Sequence, residues 1–167
     1  FFERLNELEV LLGTVGIALF DLKTRHLIYW VGNSIQDPQL ITVPYNEAMM
    51  ADENFMRDGW NAMVEKTELI NKFYTKAQKD KYFEYLFSNN DLIQIPESAR
   101  EILRKMDCHI VCFIPNSHSA LFADSWDGRQ YTDDGLNILR RGGKVFEQAY
   151  IRLIDIQKAE AKAREAK

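Results

Sequence analysis

Hydrophobic positions along the chain switch between two periods, and the switches mark the elements. Phe1, Leu5, Leu8 and Leu12 recur at steps of four, three and four among polar residues, which predicts an amphipathic helix ended by Gly13. Two apolar runs of strand length follow at 16–21 and 26–31. The short polar link at 22–25 predicts that they pair as an antiparallel hairpin. Residues 33–38 read as a turn, and residues 40–45 as a short strand whose Pro44 confines it to an edge or to its own end.

From Asp52 the spacing becomes helical. Phe55, Trp60, Met63 and Val64 stand among charges, with Asp52 placed to cap a helix over 52–65. A strand over 68–74 leads into a helix over 77–87 with Tyr82, Phe83, Leu86 and Phe87 on one face. A further helix over 96–106 opens on Pro96 and carries Ile102, Leu103 and Met106. Residues 108–115 are apolar on both alternating faces, the mark of a central strand covered on both sides. Residues 120–126 form a second hairpin with them across the turn at 115–118. Thr132 or Asp133 caps a long final helix, in which Gly142-Gly143 predicts a bend or a close helix packing. Six strands with helices set against them make an α+β fold around an antiparallel sheet.

The final helix carries the clearest functional signal. Gly142, Phe146, Ala149, Leu153, Ile156 and Ala163 alternate steps of four and three, with Glu160 breaking one step, which is the seam of a two-stranded coiled coil. Past Ile156 only strong helix formers follow, with no stop signal, so the helix is expected to continue beyond Lys167. Two units result: a body over 1–141 that includes the first helix, and a helix over 142–167 that leads toward an output module.

Composition narrows the class. At 167 residues, 46% hydrophobic and 28% charged, the chain has the size and make-up of one globular domain. No apolar run approaches the ~20 residues of a membrane span. A net charge of −4 with interspersed signs offers no basic surface for nucleic acid. Cys108 and Cys112 lie four apart in one strand, on one face but about 13 Å from each other, too far for a disulfide. They read as reduced core residues of a cytoplasmic protein.

The segment KVFEQAYIRLIDIQKAEAKAREAK, together with WNAMVEKTELINKFYTKAQKDKYFEYL, resembles the GAF-type domains of sensor histidine kinases and related regulators of Bacteroidetes bacteria; the two cover about a third of the chain. The resemblance implies a six-stranded antiparallel sheet with the terminal helices on one face and a pocket under the opposite helices. It also implies a cytoplasmic homodimer whose terminal helices run into a downstream kinase or other output domain of a two-component system. It supplies no ligand. Asn71-Lys72-Phe73 matches three residues of the Asn-Lys-Phe-Asp-Glu signature of cyclic-nucleotide-binding GAF domains, but Tyr74-Thr75 follows, so cyclic GMP is not supported. The methionine-sulfoxide-reducing and bilin-attaching types need cysteines in contexts this chain does not offer.

Candidate chemistry is sparse. Cys108 and His109 are neighbours in a strand and so face opposite ways. His26, His109 and His118 lie on separate elements with no metal-ligand spacing, and Asp133-Asp134 reads as capping and dipole complementation, as a helix-start pair usually does. Asp124 and Asp127, which flank Trp126, are not assigned a catalytic role either. No catalytic residue, metal or cofactor is expected. The ligand hint is aromatic: Tyr29, Trp30, Tyr45, Phe73, Phe113 and Trp126 lie on or beside strands and could wall a cavity for a small molecule. The expected function is a non-enzymatic sensory or relay domain that signals through helices paired at Phe146, Ala149, Leu153, Ile156 and Ala163. The alternative is a structural dimerisation module whose aromatics all go to packing.

Overall fold

The computed structural model describes residues 13–21, 23–32, 39–89 and 95–165. The helix expected over 1–12 and the turn over 33–38 lie outside the described residues. Six strands build one antiparallel sheet: β1 (Thr14–Phe20), β2 (Leu27–Gly32), β3 (Gln39–Val43), β4 (Ile70–Thr75), β5 (Cys108–Pro115) and β6 (Ser119–Ser125), in the order β3-β2-β1-β6-β5-β4. β5 and β6 are the most buried strands of the sheet, covered along nearly their whole length. A strand apolar on both faces is stable only between two covered layers.

The two-residue period sorts these strands between two cores. His109, Val111 and Phe113 of β5 face one way with Phe122 and Asp124 of β6, whereas Cys108, Ile110, Cys112 and Ile114 face the other with Leu121 and Ala123. The first core is roofed by four helices: α1 (Glu47–Ala51), α2 (Phe55–Glu65), α3 (Lys76–Ser88) and α4 (Glu97–Lys105). The second is covered by α5 (Asp133–Glu165) through Leu136 and Leu139. The molecule is thus α+β, with helices on both faces of a six-stranded sheet and a long C-terminal helix. No described helix is long and apolar enough to cross a membrane.

The helix expected over 52–65 is α2, which starts three residues later, and α1 before it was not anticipated from the sequence. Asn54, not Asp52, caps α2: its side chain accepts from the Arg57 N–H (3.1 Å) and its amide donates to the Met49 (2.6 Å) and Asp52 (3.0 Å) carbonyls. One asparagine therefore stops α1 and starts α2. Pro96 stands at the N-cap of α4 rather than within its first turn. α3 opens on a capping box between Thr75 and Gln78 and buries Tyr82, Phe83, Leu86 and Phe87.

α5 begins where Thr132 Oγ1 accepts from the Gly135 N–H (3.2 Å) and runs unbroken for 33 residues, about 50 Å at 1.5 Å per residue. Gly142-Gly143 does not interrupt it. Gly143 instead packs closely on the β5–β6 hairpin: a Cβ there would stand 3.3 Å from Ile114 Cγ2 and 3.6 Å from Leu121 Cβ. The Glu147 carboxylate then fastens the helix to the hairpin, accepting from the His118 backbone N–H (3.0 Å) and from Ser119 Oγ (2.6 Å), with His118 Nδ1 2.8 Å away. Beyond that clasp the helix leaves the sheet, and every residue from 155 to 165 is exposed.

Candidate functional site

On the face opposite α5, the sheet and α2–α4 line a half-open cavity of about 160 Å³. Its floor comes from the strands: Tyr29 and Val31 of β2, Ile41 and Val43 of β3, His109 of β5, and Phe122 and Asp124 of β6, with Trp126 just beyond. Phe55 of α2, Tyr82, Phe83 and Leu86 of α3, and Ala99 and Leu103 of α4 form the roof. The enclosure is aromatic: Phe83 lies 5.7 Å from Trp126, Tyr82 5.1 Å from Phe83, and Tyr29 5.4 Å edge-on to Phe122.

A polar pair is built into this wall. Asp124 pairs in register with Val111, so His109, two residues earlier on β5, is its diagonal neighbour on the same face. The His109 Nε2 to Asp124 Oδ2 distance is 3.2 Å, and the two residues are only 2% and 6% exposed. The other carboxylate oxygen accepts from the Thr14 backbone N–H (2.7 Å), which ties the pair to the start of β1. The imidazole stacks on the Trp126 indole with centroids 4.4 Å apart and planes at 10°. The indole can lie there because residue 13 is glycine; a Cβ would overlap its ring.

Two phenols stand near the pair, and Thr14 and Gln39 are further polar residues of the lining. Burial pushes the Tyr29 and Tyr82 hydroxyls well above the ordinary tyrosine range, so they stay protonated. A histidine oriented by a buried carboxylate is also the arrangement of a general base. Among the described residues, no Cys, Ser or Lys lines the cavity, and Thr14 is its one aliphatic hydroxyl. Cys108 and Cys112 are free thiols buried on the α5 side of the sheet, and desolvation pushes Cys112 up to about 12. No group of three His, Cys, Asp or Glu side chains that could hold a metal ion occurs among the described residues. The arrangement can bind and orient a small molecule in a largely apolar enclosure.

Of the six aromatics singled out by sequence, Tyr29 and Trp126 line the cavity. Trp30 follows Tyr29 by one residue, so it points from the opposite face and is 49% exposed; Phe73 precedes buried Tyr74 in the same way and is 41% exposed. Phe113 is buried in the core against Phe55 and Phe20 rather than on the cavity surface. Tyr45 lies outside the cavity, under the Arg25 guanidinium, which stands 3.4 Å from its ring centroid, and edge-on to Trp60. Sequence reasoning missed His109, Asp124, Tyr82 and Phe83 as cavity residues. The signal was the alternation: with the turn placed at 115–118, His109, Phe122, Asp124 and Trp126 fall on one face.

The seam residues divide as well. Phe146 is half-buried against the core under α5, while Ala149, Leu153, Ile156 and Ala163 are exposed. Leu153 and Ile156 are each 49% exposed, and Val145 joins them as an exposed apolar side chain one turn before Ala149. No family model, curated protein or solved structure matches this chain.

Proposed function

We propose that this chain is a GAF-like, non-enzymatic sensory or relay domain of a signal-transduction histidine kinase. It passes a change at the cavity to downstream modules through two parallel copies of α5. The observation that carries this reading is the apolar stripe Ala149, Leu153 and Ile156, left open on a continuous helix as it runs off its own sheet. An exposed stripe at alternating steps of four and three is what a partner helix covers. The layer order supports the GAF resemblance, since a six-stranded antiparallel sheet carries its terminal helix on one face and a cavity under helices on the other.

The route between the two faces is short. His109 and Asp124 touch the cavity, while their strand neighbours Ile110 and Ala123 belong to the core under α5, so a shift of β5 against β6 is felt on both sides. A ligand acts here by binding one arrangement of the paired helices more tightly than another, and ~1–3 kcal/mol of such preference suffices for a signal. Analytical ultracentrifugation of the wild type against Leu153→Asp and Ile156→Asp tests the pairing. The wild type is expected to sediment as a dimer and both variants as monomers with an unchanged circular-dichroism spectrum. A wild type that remains monomeric, or a dimer indifferent to both substitutions, removes the relay reading.

A further inference from the structure

The chemistry of the cavity wall specifies what it would hold, an inference that rests on reading the cavity as a ligand site. We infer that it takes a small uncharged aromatic molecule, of one ring or two fused rings, which donates a hydrogen bond from an N–H or O–H group to His109.

Size sets the first limit. The half-open cavity of about 160 Å³ is close to the ~150 Å³ of an apolar protein cavity that accommodates benzene, so one ring or a compact bicycle fits inside it and a larger guest would extend into solvent. Trp126, Phe83, Phe55 and Phe122 give the lining an aromatic character that favours a planar aromatic guest.

Polarity sets the second. A carboxylate only accepts hydrogen bonds, so Asp124 fixes Nε2 of His109 as a donor toward it. In the neutral imidazole Nδ1 is then a bare acceptor. Asp124 is the only hydrogen-bond partner of the His109 ring among the described residues, and the ring lines the cavity. With Nε2 committed to Asp124, Nδ1 is the ring atom left to meet a guest, and as an acceptor it favours one that brings a donor over one that brings another lone pair. Charge sets the third limit. No Lys or Arg lines the cavity among the described residues, whereas the Asp124 carboxylate does, so an anionic guest would meet a like charge in a desolvated site. The Asp124 oxygens already accept from Thr14 and His109, which leaves a cationic guest without a dedicated counter-ion.

The test compares indole with benzofuran, which has the same shape but an oxygen in place of the N–H, and with benzoate. Isothermal titration calorimetry on the whole chain is expected to show indole binding about tenfold or more tighter than benzofuran, with benzoate weaker still. Indole is also expected to shift the 15N resonance of His109 Nδ1. In His109→Phe the preference for indole should collapse to near parity. Because a core substitution can impair folding, Ala99→Trp serves as a second variant: α4 has no buried residue, and a tryptophan there fills the cavity mouth and should abolish indole binding. Equal affinities for indole and benzofuran in the wild type, benzoate binding as tightly as indole, an unmoved His109 resonance, or no indole binding would each overturn the inference. None of these outcomes bears on helix pairing, which ultracentrifugation reads separately.

Discussion

Cys112 shows what burial on the α5 side of the sheet does to a single group. Desolvation raises its thiol from an ordinary value of 9.0 to about 12, so in the folded chain the thiol stays protonated at a pH where the unfolded chain has already lost that proton. The unfolded state then binds fewer protons, and stability falls as pH rises above about 9. Between pH 7 and pH 10 this one residue should remove about 1.4 kcal/mol, one pH unit's worth beyond the unfolded value. Urea denaturation at both pH values should show that loss, and in Cys112→Ala the fall should be smaller by about the same amount. An identical fall in the two proteins would mean that the thiol is not desolvated. At this scale the sequence was legible wherever alternation alone decides orientation: Cys108 and Cys112 share the α5 face, and His109 takes the other. It was not legible for Trp30 and Phe73, since knowing that an aromatic lies on a strand does not say which face is enclosed.

α4 is an element held by its neighbours rather than by its own core. It has no buried residue, yet Ala99 and Leu103 roof the cavity. Its C-terminal end is fastened from α3 by cations: Lys79 Nζ donates to the Leu103 carbonyl (2.5 Å) and to Asp80, and Lys76 Nζ donates to the Arg104 carbonyl (2.6 Å). Cations at a helix C-terminus satisfy its free carbonyls and oppose its dipole. The Lys79 side chain is fully buried, so Lys79→Met keeps the volume but leaves the Leu103 carbonyl without its donor. Hydrogen exchange should accelerate about tenfold across the α4 amides while β5 and β6 keep their protection, with a global loss of about 1–3 kcal/mol. Uniform acceleration through the sheet would show that Lys79 supports the whole core and not this helix. Element existence was readable from period, as α3 and β5 illustrate. Boundaries were less so, because Asn54 ends α1 through side-chain bonds to the nearby Met49 and Asp52 carbonyls, which hydrophobic period does not register.

For the molecule as a whole, one sheet serves as the common wall of a cavity and of a helix bed, and the direction of α5 decides which of its faces a second copy can meet. The inner face of α5 runs through Leu136, Leu139, Gly143 and Glu147, and the apolar stripe Ala149, Leu153, Ile156 and Ala163 continues on the outer side. In a parallel in-register pair, each seam residue meets its own copy, while a residue two positions before a core position points away from the axis. Ala163→Cys should therefore form an inter-chain disulfide readily under mild oxidation, and Ala161→Cys should not, because the native thiols Cys108 and Cys112 are buried and do not compete. The pattern on a non-reducing gel separates three geometries. Cross-linking at 163 alone fixes a parallel pair on this seam. Cross-linking at 161 alone means that the helices meet through the face that continues the inner side of the bed. Cross-linking at neither position, in a chain that sediments as a dimer, means that the copies are antiparallel or joined through the body, in which case the far ends of the two helices cannot report together on the cavity.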